Sequence, residues 1–366
     1  MARAVGRGDL ALARMRATNG MVIGLAFGLV FFAAVFAALG PIVSLLGATG
    51  EIHAMTVHFL RLVMPGQPLL IIGIVGAAIL RAHGDARRAM MVTVWGAVAL
   101  AVLDPILIFG ADLGLTGAAL AGFASRVMIA VMAIRPILRH HGGFDRPYRD
   151  GLRADFMPLT AIAGPAILTQ LATPVGQAVV TRMVAGYGAE AVAGMTIAGR
   201  LTPVAFGVIF ALSGALGPII GQNFGAGRLD RVRRAFLDAV IFTAVVIVSI
   251  SALLFLAREP IAALFHAEGM TKTLIFLFCG PLSLLFFFNG LIFISNAACN
   301  NLGAQGQSTL INWGRHTLGT ILPAAWAASH WGAVGVLLGQ AVGGIVFGLL
   351  AVWLALRVIA RPRITA

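Results

Sequence analysis

A single lysine, Lys272, and two cysteines, Cys279 and Cys299, are all that this 366-residue chain holds of either residue type. Neither cysteine has histidine partners at zinc spacing, and no paired-cysteine pattern suggests a disulfide scaffold, so both read as packing residues in apolar helix. No Gly-rich loop ends in Gly-Lys-Ser/Thr, which removes nucleotide hydrolysis as a driving force within the chain. A Gly-x-Ser-x-Gly elbow and a His-Glu-x-x-His helix are missing too. Ser213 and His316 are the one pair from which a buried hydrolase could start, and nothing completes it. The sequence does not describe an enzyme.

Charge is also scarce. Only 11% of residues are charged and 60% are hydrophobic, against about 25% charged in a soluble domain. Apolar runs of about 20 residues, enough to cross a hydrocarbon core of about 30 Å, lie at about 19–39, 59–80, 90–110, 115–136, 158–180, 196–220, 236–257, 272–297, 308–328 and 332–356. The fold class expected is an all-α polytopic membrane protein with about ten transmembrane helices. Pro174, Pro203, Pro281 and Pro323 fall inside these runs, as membrane helices tolerate when neighbours satisfy the freed backbone groups.

What charge there is follows a pattern. Arginines cluster at 3–16, 81–88, 135–153, 228–234 and 357–363, on every second connection, while the others carry Glu51, Asp112, Glu190, Glu259 and Glu268. The positive-inside rule then places both termini and the basic loops in the cytoplasm of a multi-pass protein of the cell inner membrane. The net charge of +13 reads as topology and contact with membrane lipids, not nucleic acid. Met1–Arg16 lacks the apolar stretch of a secretory signal. His140 and His141 in the central polar segment read as solvated loop side chains, because no metal-ligand partner follows at suitable spacing.

The chain is a tandem repeat. Gly6-Arg7-Gly8-Asp9-Leu10 corresponds to Gly225-Ala226-Gly227-Arg228-Leu229, Gly84 to Gly303, Leu103-Asp104-Pro105 to Ile321-Leu322-Pro323, and Gly114-Leu115-Thr116-Gly117 to Gly332-Ala333-Val334-Gly335, at an offset of about 219 residues. This divides the chain into a four-helix lobe at 1–138, a linker at 139–156 and a six-helix lobe at 157–366.

Polar residues inside a bilayer are costly and mark cavities, partners or ion paths. Asp104 is the best-placed carboxylate, because Pro105 leaves carbonyls free to join a cation site; the alternative is a helix-end charge at the interface. Gln170, Thr173 and Gln177 share one helical face, as do Asn289, Asn296 and Asn300. Each stripe either lines a cavity or bonds between helices. Arg200 could pair with an acid or snorkel to the interface. Gly339, Gly343, Gly344 and Gly348 form small-xxx-small pairs that indicate close helix packing.

Gly221-Gln222-Asn223-Phe224-Gly225-Ala226-Gly227, with Arg231-Val232-Arg233-Arg234 after it, resembles the second-half loop of multidrug and toxic compound extrusion (MATE) transporters. Leu80-Arg81-Ala82-His83-Gly84-Asp85-Ala86-Arg87 and Leu103-Asp104-Pro105-Ile106 resemble first-half signatures, and the likeness covers the whole chain. The resemblance implies a monomeric, cofactor-free antiporter of twelve helices that expels amphipathic, often cationic small molecules against protons or sodium by alternating access. In that plan the chain begins after the first two helices, and Asp104 occupies the first-lobe cation position. Thr173 and roughly Asn289 stand where some members carry acids. A transport-incompetent fragment and a lipid-precursor flippase are the alternatives.

Overall fold

The computed structural model describes residues 1–45, 49–145 and 149–361. Arg146 and Arg363, which belong to the arginine clusters named above, lie outside the described residues. Every described element is helical, and two compact units divide the chain, Met1–Leu159 and Thr160–Ala366.

In the first unit α1 (Ala2–Gly6) leads into α2 (Leu10–Ala37), α3 (Leu39–Leu45), α4 (Gly50–Val63), α5 (Gln67–Ala82), α6 (Ala86–Pro105) and α7 (Gly114–His140). Helix α8 (Arg149–Ala185) carries the chain into the second unit, followed by α9 (Ala189–Gly225), α10 (Leu229–Leu264), α11 (Gly269–Leu277), α12 (Ser283–Asn301), α13 (Gln305–His316) and α14 (Leu318–Ala360). Among the described residues eight segments are long and apolar enough to cross a membrane. The last, Gln305–Ala360, has 56 residues, about 84 Å of straight helix at 1.5 Å per residue. It is not straight. Gly332 takes φ 57° and ψ −136°, and beyond it Gly335, Gly339 and Gly343 lie so close to Ala327, Ala324 and Gly319 that an added Cβ would strike backbone. The chain doubles back at Gly332 into two antiparallel crossings, held by the small-xxx-small contacts expected from the sequence. Elsewhere α10 shows why the composition is so apolar: Ile241, Val245, Val248 and Leu256 are exposed, a surface suited to lipid and not to water.

The repeat is visible in the backbone. Gly8, Gly84, Gly227 and Gly303 all have positive φ, between 74° and 88°, and end helices α1, α5, α9 and α12. In each turn the next residue's N–H reaches back five positions: Asp9 to Ala4, Asp85 to Leu80, Arg228 to Asn223 and Ala304 to Cys299, all at 2.8–3.0 Å. This closure requires a left-handed residue at the helix end, which glycine adopts without a Cβ penalty. Only the first-half copies add a side-chain cap, Asp9 on Leu12 N and Asp85 on Arg88 N.

Among the described residues, besides the reversal at Gly332 and a kink at Phe206 in α9, four interruptions break the long helices. Pro65 sits in a tight turn, Met64–Gly66, where Gln67 N–H bonds to Met64 O; the Val63 carbonyl, left over, accepts from Arg126 Nη1 of α7. Widened turns follow Pro105, at Ile106–Gly110, and surround Pro281, at Phe278–Leu282. The fourth, at Thr317 (φ −99°, ψ −88°), separates α13 from α14 without a proline or glycine at the break.

One reading of the loops is corrected. His140 is exposed, but His141 is not a solvated side chain: its ring stacks on His83 with centroids 4.7 Å apart, and its Nε2 lies 3.1 Å from Asp85 Oδ2. The turn at Gly84 and the end of α7 meet here, bringing together groups 56 residues apart.

Candidate functional site

The second unit contains a cavity of about 190 Å³. Its lining combines apolar and aromatic side chains, among them Phe278, Leu282 and Phe286, with polar ones, among them Gln177, Asn289 and Arg315. Each set has a structural cause. Phe278 and Leu282 belong to the widened turn at Pro281, which interrupts the helix beside the cavity. Phe286 is held by a parallel stack on buried Phe206, at 4.1 Å between centroids, and Phe206 itself lies at a kink in α9 three residues after Pro203.

The polar set is built at the Thr317 break. Arg315 and His316 are the last residues but one and last of α13, so they stand where the helical ladder stops. The freed Arg315 carbonyl accepts from Thr320 Oγ1 at 2.8 Å, and Thr317 Oγ1 turns back onto Trp313 O at 2.7 Å. Arg315 Nη1 donates to Asn289 Oδ1 at 2.7 Å. Its Nη2 lies 2.9 Å from His316 Nε2; since guanidinium only donates, that nitrogen accepts and the ring proton is assigned to Nδ1. His316 Nδ1 is buried without a partner, packed where a Cβ on Gly176 would collide with it. No carboxylate lines the cavity.

Of the residues singled out in the sequence, Gln177 and Asn289 meet at this cavity. Gln170 and Thr173, on the same face of α8 as Gln177, are exposed and outside it. Asn296 Oδ1 is buried and without a partner among the described residues, while the Asn300 carbonyl accepts from Gln305 Nε2 at 3.2 Å. Arg200 is exposed, flanked in sequence by Gly199 and Thr202 of the cavity wall. In the first unit Asp104 is half-buried and has no hydrogen-bond partner among the described residues, at the point where Pro105 withholds an N–H from the ladder. Sequence reasoning undervalued Arg315 and His316. The available signal was an arginine inside an apolar run with no acid anywhere after Glu268.

Away from the membrane spans, Asp85 is the most strongly perturbed carboxylate among the described residues. Partial burial would raise its pKa, but hydrogen bonds from Arg88, at 2.6 Å, and from His141 outweigh that and bring it down to about 2. Burial, followed by the neighbouring His141, pushes His83 below the ordinary histidine value, and Asp85 opposes the shift.

Crossing helices interrupted beside a small cavity lined by aromatic and polar side chains fit a membrane transporter of solutes. The MatE family model matches residues 1–106 and 165–324, and the chain belongs to that family of bacterial transporters. It is 32% identical over 335 residues to the FAD transporter of Shewanella oneidensis, covering 87% of this chain and 72% of that one. With the multidrug export protein MepA of Staphylococcus aureus it shares 28% identity over 249 residues, 66% of this chain and 54% of MepA. Its fold superposes on the crystal structure of a Vibrio cholerae MATE transporter with a TM-score of 0.91 at 25% identity, covering 97% of this chain and 81% of that one. These relatives are membrane transporters, not enzymes.

Proposed function

We propose that the chain exports amphipathic small molecules by secondary active transport, with proton or sodium antiport and alternating access. The observation that carries this reading is the second-unit cavity, whose aromatic side chains can take an apolar body while Gln177, Asn289 and Arg315 hold a polar end. The names of two relatives, a multidrug export protein and a FAD transporter, support transport of organic small molecules. Asp104, half-buried and unpaired beside Pro105, is the proposed coupling carboxylate. Arginine placement supports the inner membrane with both termini cytoplasmic, and a monomer in contact with lipid is the proposed working form. The residues at 1–138 and 157–366 act as the two lobes, joined by 139–156.

The cationic substrates implied by the family resemblance find no carboxylate partner in this cavity, so the general reading is limited to amphipathic compounds. Gradient-driven efflux of a fluorescent dye from proteoliposomes tests it. Efflux should follow an imposed pH or sodium gradient and fall in Asp104→Asn; unchanged efflux in that variant would remove the coupling role, and no gradient dependence would remove antiport.

A further inference from the structure

Resting on the reading that the second-unit cavity is the substrate site, we infer that this site selects organic anions: Arg315 takes a carboxylate, sulfonate or phosphate group while the attached ring lies against Phe286 and Leu282.

The argument is one of missing counter-charge. A guanidinium keeps its proton under any physiological condition, and removing it from water is costly unless an opposite charge or a full set of acceptors compensates. Arg315 has neither. Asn289 is a neutral acceptor, and His316 accepts through Nε2 with its proton on the far nitrogen. The other guanidinium N–H groups have no acceptor among the described residues. Nor can an acid approach from elsewhere in this unit. Its acids are Glu190, Asp230, Asp238, Glu259 and Glu268, and none of them lines the cavity. Glu190 accepts from Met270 N–H, and Glu259 pairs with Lys272. Asp230 lies in the first turn of α10, Asp238 is exposed, and Glu268 precedes α11.

The charge is also held in place for use. Asn289 and His316 fix the fork from one side, and the break at Thr317 anchors the backbone beneath it through Thr320. A fixed fork matches the two oxygens of a carboxylate or phosphate. The volume, about 190 Å³, is below the roughly 300–1,000 Å³ typical of sites for drug-sized ligands. It therefore suits an anionic head and one ring, with any further body projecting out. A cationic dye would bring a second positive charge to a wall that has no negative one.

The test uses three probes with one aromatic body: pyrenebutyrate, pyrenebutanol and a pyrenebutyl trimethylammonium salt. Binding to the full chain is read by pyrene fluorescence in nanodiscs of phosphatidylcholine. Pyrenebutyrate should bind about tenfold more tightly than the ammonium salt, equivalent to about 1.4 kcal/mol. Arg315→Gln should abolish that preference, and pyrenebutanol affinity should fall far less than pyrenebutyrate affinity. Because Arg315→Gln could misfold, Asn289→Asp provides an independent arm: it sets a carboxylate against the guanidinium and should abolish the preference with Arg315 intact. A wild-type protein that binds the ammonium salt as tightly as the butyrate overturns the inference, as does a preference that survives both substitutions. Adding phosphatidylglycerol distinguishes sources of the anion: competition with pyrenebutyrate identifies a lipid head as an occupant, and unchanged affinity identifies a free solute. Anion preference without gradient-driven efflux would sink the export reading alone, and efflux without anion preference would sink this one alone.

Discussion

Arg315 Nη1 and Asn289 Oδ1 are 2.7 Å apart, joining α13 to α12 at the wall of the second-unit cavity. The bond decides the fate of a charge that no acid neutralises. Replacing Asn289 with Leu keeps the volume but leaves the guanidinium short of an acceptor, with a cost of about 1–3 kcal/mol. The expected result is a lower melting temperature for Asn289→Leu in detergent, and a recovered or raised one for Asn289→Asp. If Asn289→Leu melts with the wild type, the bond contributes nothing.

Thr320 is buried, and its hydroxyl takes up the Arg315 carbonyl at the helix break. Thr320→Val retains shape and removes that donor, so it should lower stability by about 1 kcal/mol. Thr320→Ser should behave nearly as wild type. Thermal unfolding of both variants checks the contrast, and equal losses would show that the methyl group, not the hydroxyl, matters.

Glycines within the helices differ in what surrounds them. A Cβ on Gly343 would run into the Gly319 carbonyl, whereas a Cβ on helical Gly122 meets nothing within 4 Å. Gly343→Ala should therefore be among the most damaging of small substitutions, because backbone cannot give way as a side chain can. Gly122→Ala should be neutral, or stabilising by about 0.5–1 kcal/mol through helix propensity. Expression and melting temperature in detergent separate the two outcomes.

The cluster at the Gly84 turn predicts a pH response of known sign. The carboxyl of Asp85, at about 2 when folded against 3.8 ordinarily, contributes stability that is complete above the ordinary value and is lost as pH falls from there toward 2. His83, depressed when folded, adds stability that begins to be lost once pH falls below the ordinary value of 6.5, because the unfolded chain binds the proton first. Histidine-selective NMR should find His83 titrating below 6.5. Asp85→Asn should lower it further by removing an attraction, and His141→Gln should raise it by removing the neighbouring imidazole. Shifts of the opposite sign would mean that the cluster is not formed.

How legible all this was depends on the kind of interaction. Gly8, Gly84, Gly227 and Gly303 could be aligned from sequence because a left-handed helix end leaves a residue-type signature, and Gly339 and Gly343 announced close packing for a similar reason. Apolar runs announced the crossings, although Asp9 starts α2 at Leu10, well before the apolar stretch itself. Gln177 was found with its stripe, but helical periodicity gives a face and not a depth. Gln170 lies about 10 Å along the axis from Gln177 and misses the cavity. Arg315 and His316 were hidden because their break falls at Thr317, with no proline or glycine to mark it. His141 escaped because its partners are remote in sequence, and composition suggested only a polar loop.

The four glycine turns have a mechanical consequence. Each joins its two helices through a short turn closed by its own hydrogen bonds, which restrains one helix of a pair from swinging against the other. Bending within a unit is then easiest where the helical ladder is already open, as at Pro65, the kink at Phe206, the turns at Pro105 and Pro281, and Thr317. Two of these adjoin the cavity, at Phe278–Leu282 and at Arg315. A ligand seated there would touch both hinges at once, so filling the cavity would also decide how far the helices around it can bend.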